Sequence, residues 1–529
     1  MKSYFVLIFV AVFMPVAMLA YSIVPKRLRG YVLLVFSYAF LMIMSGRPVV
    51  YLVAATLITY VTGLTMGHFQ ARRDAQLAEV KKGKKAIKEA CKRTNRWVMV
   101  AGILLDLGML FALNYLGFFA QVGSGLLSLF GIDKTFEPPL WIAPMGISFY
   151  TLMAVSYLVD VYRETVKPDH NLGRLALYLS FFPHIMEGPI ARYSEIAQGT
   201  WEGNPINRQN LYTGFMRIAV GFAKKLIVAD RLNLFVDPVF DDFSLVNGGI
   251  IALAAVLYTI QLYCDFSGCM DVAIGLGCIF NVSYPENFRQ PFFSLTTSEF
   301  WQRWHITLGS WFKDYVYYPV SLSKRVKRLT TMARKRFGNK YGPLLVSSIA
   351  LFCVWFLNGL WHGAGSQYLF FGMYYFVLIW LGGLIDPLAR SLATKYGIDR
   401  DSKPYRLMRR VRTLLFVFVG ELFFRANDLP SGLAMFKRIF THFSLETILN
   451  GKIFNIGMDP ADFIIAGIFI ALVFARDYAY EHDHNLLAMI SGKNAVIRWA
   501  AWIAIVMAVV IFGAYGHGYI PVDPMYAQF

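Results

Sequence analysis

Charge is scarce in this chain. Asp, Glu, Lys and Arg make up 16% of its 529 residues, where soluble proteins carry about 25%. With 57% hydrophobic residues, a water-soluble domain is excluded and membrane spans become the unit to count. Acids are the rarer sign: 33 Asp and Glu stand against 51 Lys and Arg, a net charge of +18. That excess lies in short segments between apolar runs, Arg72 to Arg96, Lys324 to Lys340 and Arg400 to Arg412. Such placement marks loops beside anionic membrane lipid on the cytoplasmic side. It is not the basic–aromatic interleaving of a nucleic-acid surface, and no nucleic-acid partner is expected. Five cysteines without a CxxC pair suggest neither a disulfide framework nor a zinc site, and no metal is expected. The chain also lacks a Walker-type loop, GxSxG and HExxH, which removes the nucleotide, serine-hydrolase and zincin readings.

What it has is apolar runs. Tyr4 to Val24 reads as a retained first span, because a second apolar run follows it at once. Lys26, Arg27 and Arg29 then place that loop inside and the N-terminus outside. Spans are expected over Tyr31 to Met44, Val49 to Met66, Trp97 to Phe119 and Trp141 to Val161, with a polar helix of its own over the basic segment 72–96 and a polar outer segment from Asp133 to Pro139. Pro183 and Pro189 predict a re-entrant, non-helical piece over 175–196. Its His184, Glu187 and Arg192 read equally as cavity wall or as hydrogen-bonded turn. Lys224 and Lys225 argue that Leu211 to Val236 runs partly along the interface. Further spans are expected over Leu344 to Trp361, Tyr368 to Leu384, Phe463 to Phe474 and Ala495 to Phe512, with an amphipathic helix over Pro430 to Phe443. At about 20 residues per span, the total is about 11–13 membrane-embedded helices.

The residues that invite chemistry cluster between Gln261 and Gly365, in QLYCDFSGCMDVAIG (261–275), FWQRWHITLGSWFKDYVYYP (300–319) and NGLWHGAG (358–365). His362 sits among Asn358, Gly359, Trp361, Gly363 and Gly365, small residues that leave room for a substrate and an indole that excludes water. A desolvated imidazole stays neutral, which is what a general base needs to take a hydroxyl proton. A lone histidine on an apolar helix is as often a packing residue. His305, beside Arg303 and Trp304, also reads as part of an interfacial aromatic belt. Asp265 and Asp271 are not i,i+4 partners, and Gly268 between them reads as a break, with at least one aspartate capping a helix end. A non-enzymatic transporter or flippase for acyl groups or envelope polymer is the alternative. It calls for paired intramembrane charges and inverted halves, where the sequence shows only scattered Asp160, Glu299 and Glu421.

The three motifs, with FFPHIMEGPIAR (181–192), resemble the membrane-bound O-acyltransferase family, in particular its bacterial branch acting on alginate. Cys269, Met270 and Lys313 depart from that pattern without touching a histidine. The resemblance implies an all-α polytopic fold of tilted transmembrane and re-entrant helices around a central tunnel, in the bacterial cytoplasmic (inner) membrane. It implies a single acyltransferase domain over 1–529: N-terminal spans 1–130, a core 140–430 and C-terminal helices 431–529. His362 would be catalytic and His305 its second histidine. Asp265, Ser267, Arg303, Trp304, Asn358, Trp361 and His184 are tunnel candidates. The implied reaction passes an acyl group, acetyl foremost, from acetyl-CoA or another acyl thioester on the cytoplasmic side to hydroxyls of an exported polysaccharide such as alginate, cellulose or peptidoglycan. The implied partners are a periplasmic acyl-transfer protein and the polysaccharide synthesis and export machinery.

Overall fold

The computed structural model describes residues 5, 8–132, 143–515, 519 and 522. The expected outer segment 133–139 and the start of the span from Trp141 lie outside them. Among the described residues eight helices are long and apolar enough to cross a bilayer: α1 (Lys26–Ser45), α2 (Val49–Glu79), α3 (Lys84–Asn114), α4 (Gly248–Ile279), α5 (Lys324–His362), α6 (Ser366–Lys395), α7 (Pro460–Glu481) and α8 (Ala495–Phe512). Phe9–Ile23 and Ile147–Tyr162 are shorter apolar helices. Helix is the expected answer to hydrocarbon, since it satisfies its own backbone groups. The chain is an all-α, multi-pass integral membrane protein. α8 makes the point most simply: no residue of it is buried, and Val496 and Ile511 are 77% and 62% exposed. A helix apolar on every face beyond Arg498 in its first turn, and uncovered by protein, belongs in lipid.

The ends of these helices follow local chemistry. Asp459 and Asp462 form a reciprocal capping box around Pro460 at the start of α7. Asn494 accepts from the Ile497 amide ahead of α8, and Ser323 caps α5 through the Val326 amide. The basic segment 72–96 is not a helix of its own. Its Lys, Arg, Ala and Glu residues are good helix formers, so they extend α2 to Glu79 and begin α3 at Lys84. The turn between holds Gly83 at φ 84°. α5 likewise starts in the basic stretch at Lys324, with one interruption at Gly338, φ 75°.

The chain divides into two compact units. Among the described residues, the first comprises those up to 218 and 270–285; the second comprises 219–269 and those from 286 onward. In the first, α2, α3 and Ile147–Tyr162 pack through small residues. A Cβ on Gly102 would lie 2.6 Å from Thr62, and one on Gly63 would lie 3.1 Å from the Tyr157 ring. Buried Asp106 takes a 3.2 Å bond from the Thr59 hydroxyl. The stretch 181–192 is non-helical and buried, and its backbone is closed from the sides. The Phe182 amide donates to Ser37 Oγ (3.1 Å) and the Tyr178 hydroxyl to the Ala191 carbonyl (3.1 Å). His184 Nδ1 lies 2.7 Å from the Tyr284 hydroxyl, and the Arg192 amide donates to Glu195. Asp271 receives Arg217 at 3.0 Å.

Asp169, outside the spans, gathers Arg174 (2.6 and 2.7 Å), the Asn171 amide (2.8 Å) and the Tyr193 hydroxyl. Burial alone pushes its carboxyl up, but these donors outweigh burial and hold it below the usual carboxylate range. A depressed folded value means that the stabilisation is present above the unfolded carboxylate range and is lost as pH falls through the folded value. Asp169→Asn should therefore melt lower than the parent at neutral pH, with the gap closing below about pH 4. Thermal melts across pH test this, and a gap unchanged into acid would contradict it.

In the second unit α5 and α6 cross at Gly359 and Gly372. A Cβ on Gly372 would sit 2.3 Å from the Trp355 carbonyl, and one on Gly359 would sit 2.6 Å from the Tyr368 carbonyl. Close backbone approach between small residues is how membrane helices gain contact. Gly372→Leu should destabilise by about 1–3 kcal/mol through overpacking, read as a lower melting temperature and lower accumulation. A variant that melts with the parent would show that the crossing can relax.

Candidate active site

The second unit builds its site around a break in the helices. Residues 300–319 form no plain span: Thr297–Arg303 and Ile306–Phe312 are short helices, followed by π-helical Lys313–Tyr317 and Tyr318–Ser321. Between the first two stands His305 in the left-handed region, φ 48°, ψ 51°. That conformation costs a non-glycine residue about 1–2 kcal/mol, and it persists because the flanks are tied down. The segment 287–289 runs antiparallel to 303–306, with the Arg289 amide donating to the Arg303 carbonyl (2.9 Å), the Ile306 amide to the Asn287 carbonyl (3.0 Å), and a bridge between Phe288 and Trp304.

This pairing brings Asn287 beside the imidazole. Its Oδ1 accepts the Thr307 amide (3.0 Å) and hydroxyl (2.9 Å) and lies 3.3 Å from His305 Nδ1. The Thr307 amide N–H fixes that atom as oxygen, so Nδ1 is the donor to it, and in the neutral ring the lone pair is on Nε2. In the sequence Asn287 reads only as part of a turn; its place beside His305 depends on a strand-like pairing too short to show as periodicity.

His362 closes α5, and Gly363, at φ 155°, ends the helix where a side chain would meet the Tyr368 ring at 2.6 Å. The ring is 4% exposed. It packs edge-to-face on Phe424 (5.1 Å between centroids) and Phe371 (5.7 Å). Trp361 joins the two histidines, with its ring 5.0 Å from His362 and 5.6 Å from His305. Both imidazoles are thus shielded from water within one aromatic cluster. Asn358, one turn before His362 on the same face, is 7% exposed, and its Oδ1 has no hydrogen-bond partner among the described residues.

Other candidates are held elsewhere. Arg303 is committed to Glu299 (2.8 Å) and Glu481 (2.6 Å). Trp304 is buried against Phe300, Phe288 and Tyr263. His184 lies in the first unit. Asp265 and Asp271 are not caps and Gly268 is not a break, because α4 runs unbroken through all three. Asp265 binds Lys225 at 2.8 Å, and Ser267 accepts from Lys224 at 3.1 Å. Within 211–236, Lys224 and Lys225 are buried in protein, 3% and 1% exposed. Lys225 also meets Asp230 at 2.8 Å, and Arg231 pairs with Asp462. The second unit therefore contains buried charge pairs that are not visible in the sequence, because hydropathy along one segment does not carry a cation's partner on another helix. Among the described residues no group of His, Cys, Asp and Glu is arranged to hold a metal ion.

The chain is 31% identical over 434 residues to the probable alginate O-acetylase AlgI of Azotobacter vinelandii, covering 82% of this chain and 77% of that protein. Residues 87–334 match the model of the membrane-bound O-acyltransferase family. The chain belongs to this family. Other relatives include the probable alginate O-acetylase AlgI of Pseudomonas putida, 29% identical over 473 residues (89% of this chain, 87% of that protein), and the peptidoglycan O-acetyltransferase of Helicobacter pylori, 30% identical over 363 residues (63% and 64%). This member of the membrane-bound O-acyltransferase family is therefore an O-acyltransferase. The family match includes His305 and ends before His362, so the second imidazole rests on the geometry above. Asn287→Ala removes the acceptor of both Thr307 donors and of the His305 ring. We expect acyl-transfer activity to fall about tenfold, the equivalent of one lost buried hydrogen bond, while the protein still inserts. Parent-level turnover in Asn287→Ala would show that the amide does not orient the ring.

Proposed function

We propose that this enzyme takes an acyl group, acetyl foremost, from acetyl-CoA or another acyl thioester on the cytoplasmic side and delivers it to hydroxyls of an exported polysaccharide. The acceptor is a polysaccharide such as alginate, cellulose or peptidoglycan, reached directly or through a serine of a periplasmic partner working with the polysaccharide synthesis and export machinery. The observation that carries this reading is the convergence of His305 and His362 on one indole in a buried aromatic setting. Relatives named for alginate and peptidoglycan acetylation support the choice of group and acceptor.

In this reading His362 is the general base. It takes the acceptor hydroxyl's proton as that oxygen attacks the thioester carbonyl, and the proton passes to the departing thiolate as the carbon–sulfur bond breaks. Asn358, one turn back, offers its amide N–H to the developing oxyanion. Trp361 keeps water from competing as nucleophile, and His305, with its lone pair on Nε2, positions or polarises the reacting group. His362→Ala should insert normally and lose about 10²- to 10⁴-fold in transfer, the usual contribution of a general base. Acetate released by alkali from polymer made with the parent and the variant measures it. Undiminished O-acetylation by His362→Ala would end the assignment.

A further inference from the structure

The buried lysines of the second unit have no part in that mechanism, yet their placement bears on it. Residues Ala223–Ala229 form a π-helix, a wider coil that recurs at functional sites. Within it Lys224 and Lys225 both reach α4. Lys225 Nζ bridges Asp265 and Asp230, each at 2.8 Å. Lys224 Nζ donates to Ser267 Oγ at 3.1 Å and lies 5.6 Å from the Tyr263 ring centroid. The Tyr263 hydroxyl in turn donates to Asp477 of α7 at 2.6 Å. Gly268 allows the approach, since a Cβ there would lie 2.8 Å from the Gly221 carbonyl.

The lysines thus hold residues 265 and 267, and the residue between them is Phe266. Its ring stands edge-on to the His305 imidazole at 4.7 Å and to Phe288 at 5.1 Å. We propose that Lys224 and Lys225 are positioning residues, a two-point clamp on Asp265 and Ser267 that seats Phe266 against His305 and so sets the angle of that ring. The inference rests on the proposed role of His305. Replacing a buried ion pair by apolar side chains is often neutral for stability, so stability alone does not account for two lysines and two aspartates here. A clamp acts on geometry instead, and a displacement of about 1 Å at reacting groups costs up to about 100-fold in rate.

The test uses the full-length protein with Lys225→Met, Lys225→Arg and Ser267→Ala. One readout is carbethoxylation of His305 by diethyl pyrocarbonate, followed by peptide mass spectrometry with exposed His482 as the internal reference. The other is kcat and KM with an acyl thioester. Lys225→Met should raise His305 labelling severalfold and lower kcat about 10- to 100-fold with KM little changed. Lys225→Arg should restore most of both, and Ser267→Ala should give a smaller change in the same direction. If Lys225→Met does not accumulate, the Lys225→Arg and Ser267→Ala pair decides on the same labelling readout. Parent-level labelling of His305 in Ser267→Ala and in any Lys225→Met that inserts overturns the clamp. Raised labelling with unchanged kcat supports the clamp and refutes the role of His305, which a parallel His305→Ala assay addresses separately.

Discussion

Backbone N–H and C=O groups cannot be left unpaired where water is absent, and this constraint shapes everything else in the structure. The long helices meet it internally. The buried departures from helix at 181–192 and 287–306 meet it by borrowing: Ser37 and Tyr178 serve the first, and the short antiparallel pairing with Asn287 serves the second. Such borrowing frees the backbone to turn. His184 stands in one of these stretches and His305 in the other, where no regular helix would present them. The left-handed residue at 305 is the extreme case, a strained conformation held because both neighbours are locked.

The spans were legible because they depend on short-range signals. The limits of α8 follow from an apolar run between Asn494 and Gly513, a capping residue and a helix breaker. The amphipathic helix Leu429–Thr441 shows the same local legibility. The charge pairs were not legible. Lys225 meets Asp265 across 40 positions and Arg303 meets Glu481 across 178, so a window of sequence sees a cation in an apolar run and assigns it to an interface. Gly268 misled in a related way: a glycine inside a helix suggests a break, whereas its missing side chain here admits the Gly221 backbone.

The site was half legible for the same reason. His362 announced itself by the small residues around it, and one of those, Gly363, does end the helix. That His305 shares the Trp361 indole with it is a matter of how α5 folds back on the broken segment, which single-sequence periodicity does not carry. Asn287 was missed because an amide in a turn is commonplace until its partners are known.

The distribution of charge around the imidazoles follows a single logic. Arg303, next but one to His305, is turned away to Glu299 and Glu481, and Lys224 and Lys225 are spent on Asp230, Asp265 and Ser267. The group beside His305 is an amide, not a carboxylate. A permanent charge at that distance in a dry site would act on the ring with little screening, and a fixed cation would oppose the imidazolium that a general base must become. Pairing Arg303, Lys224 and Lys225 with carboxylates or a hydroxyl removes their opposition while leaving an aromatic wall to exclude water. The buried ion pairs and the aromatic histidine pocket are then two sides of one arrangement, in which the lysines and the arginine beside His305 are each held by a partner of their own.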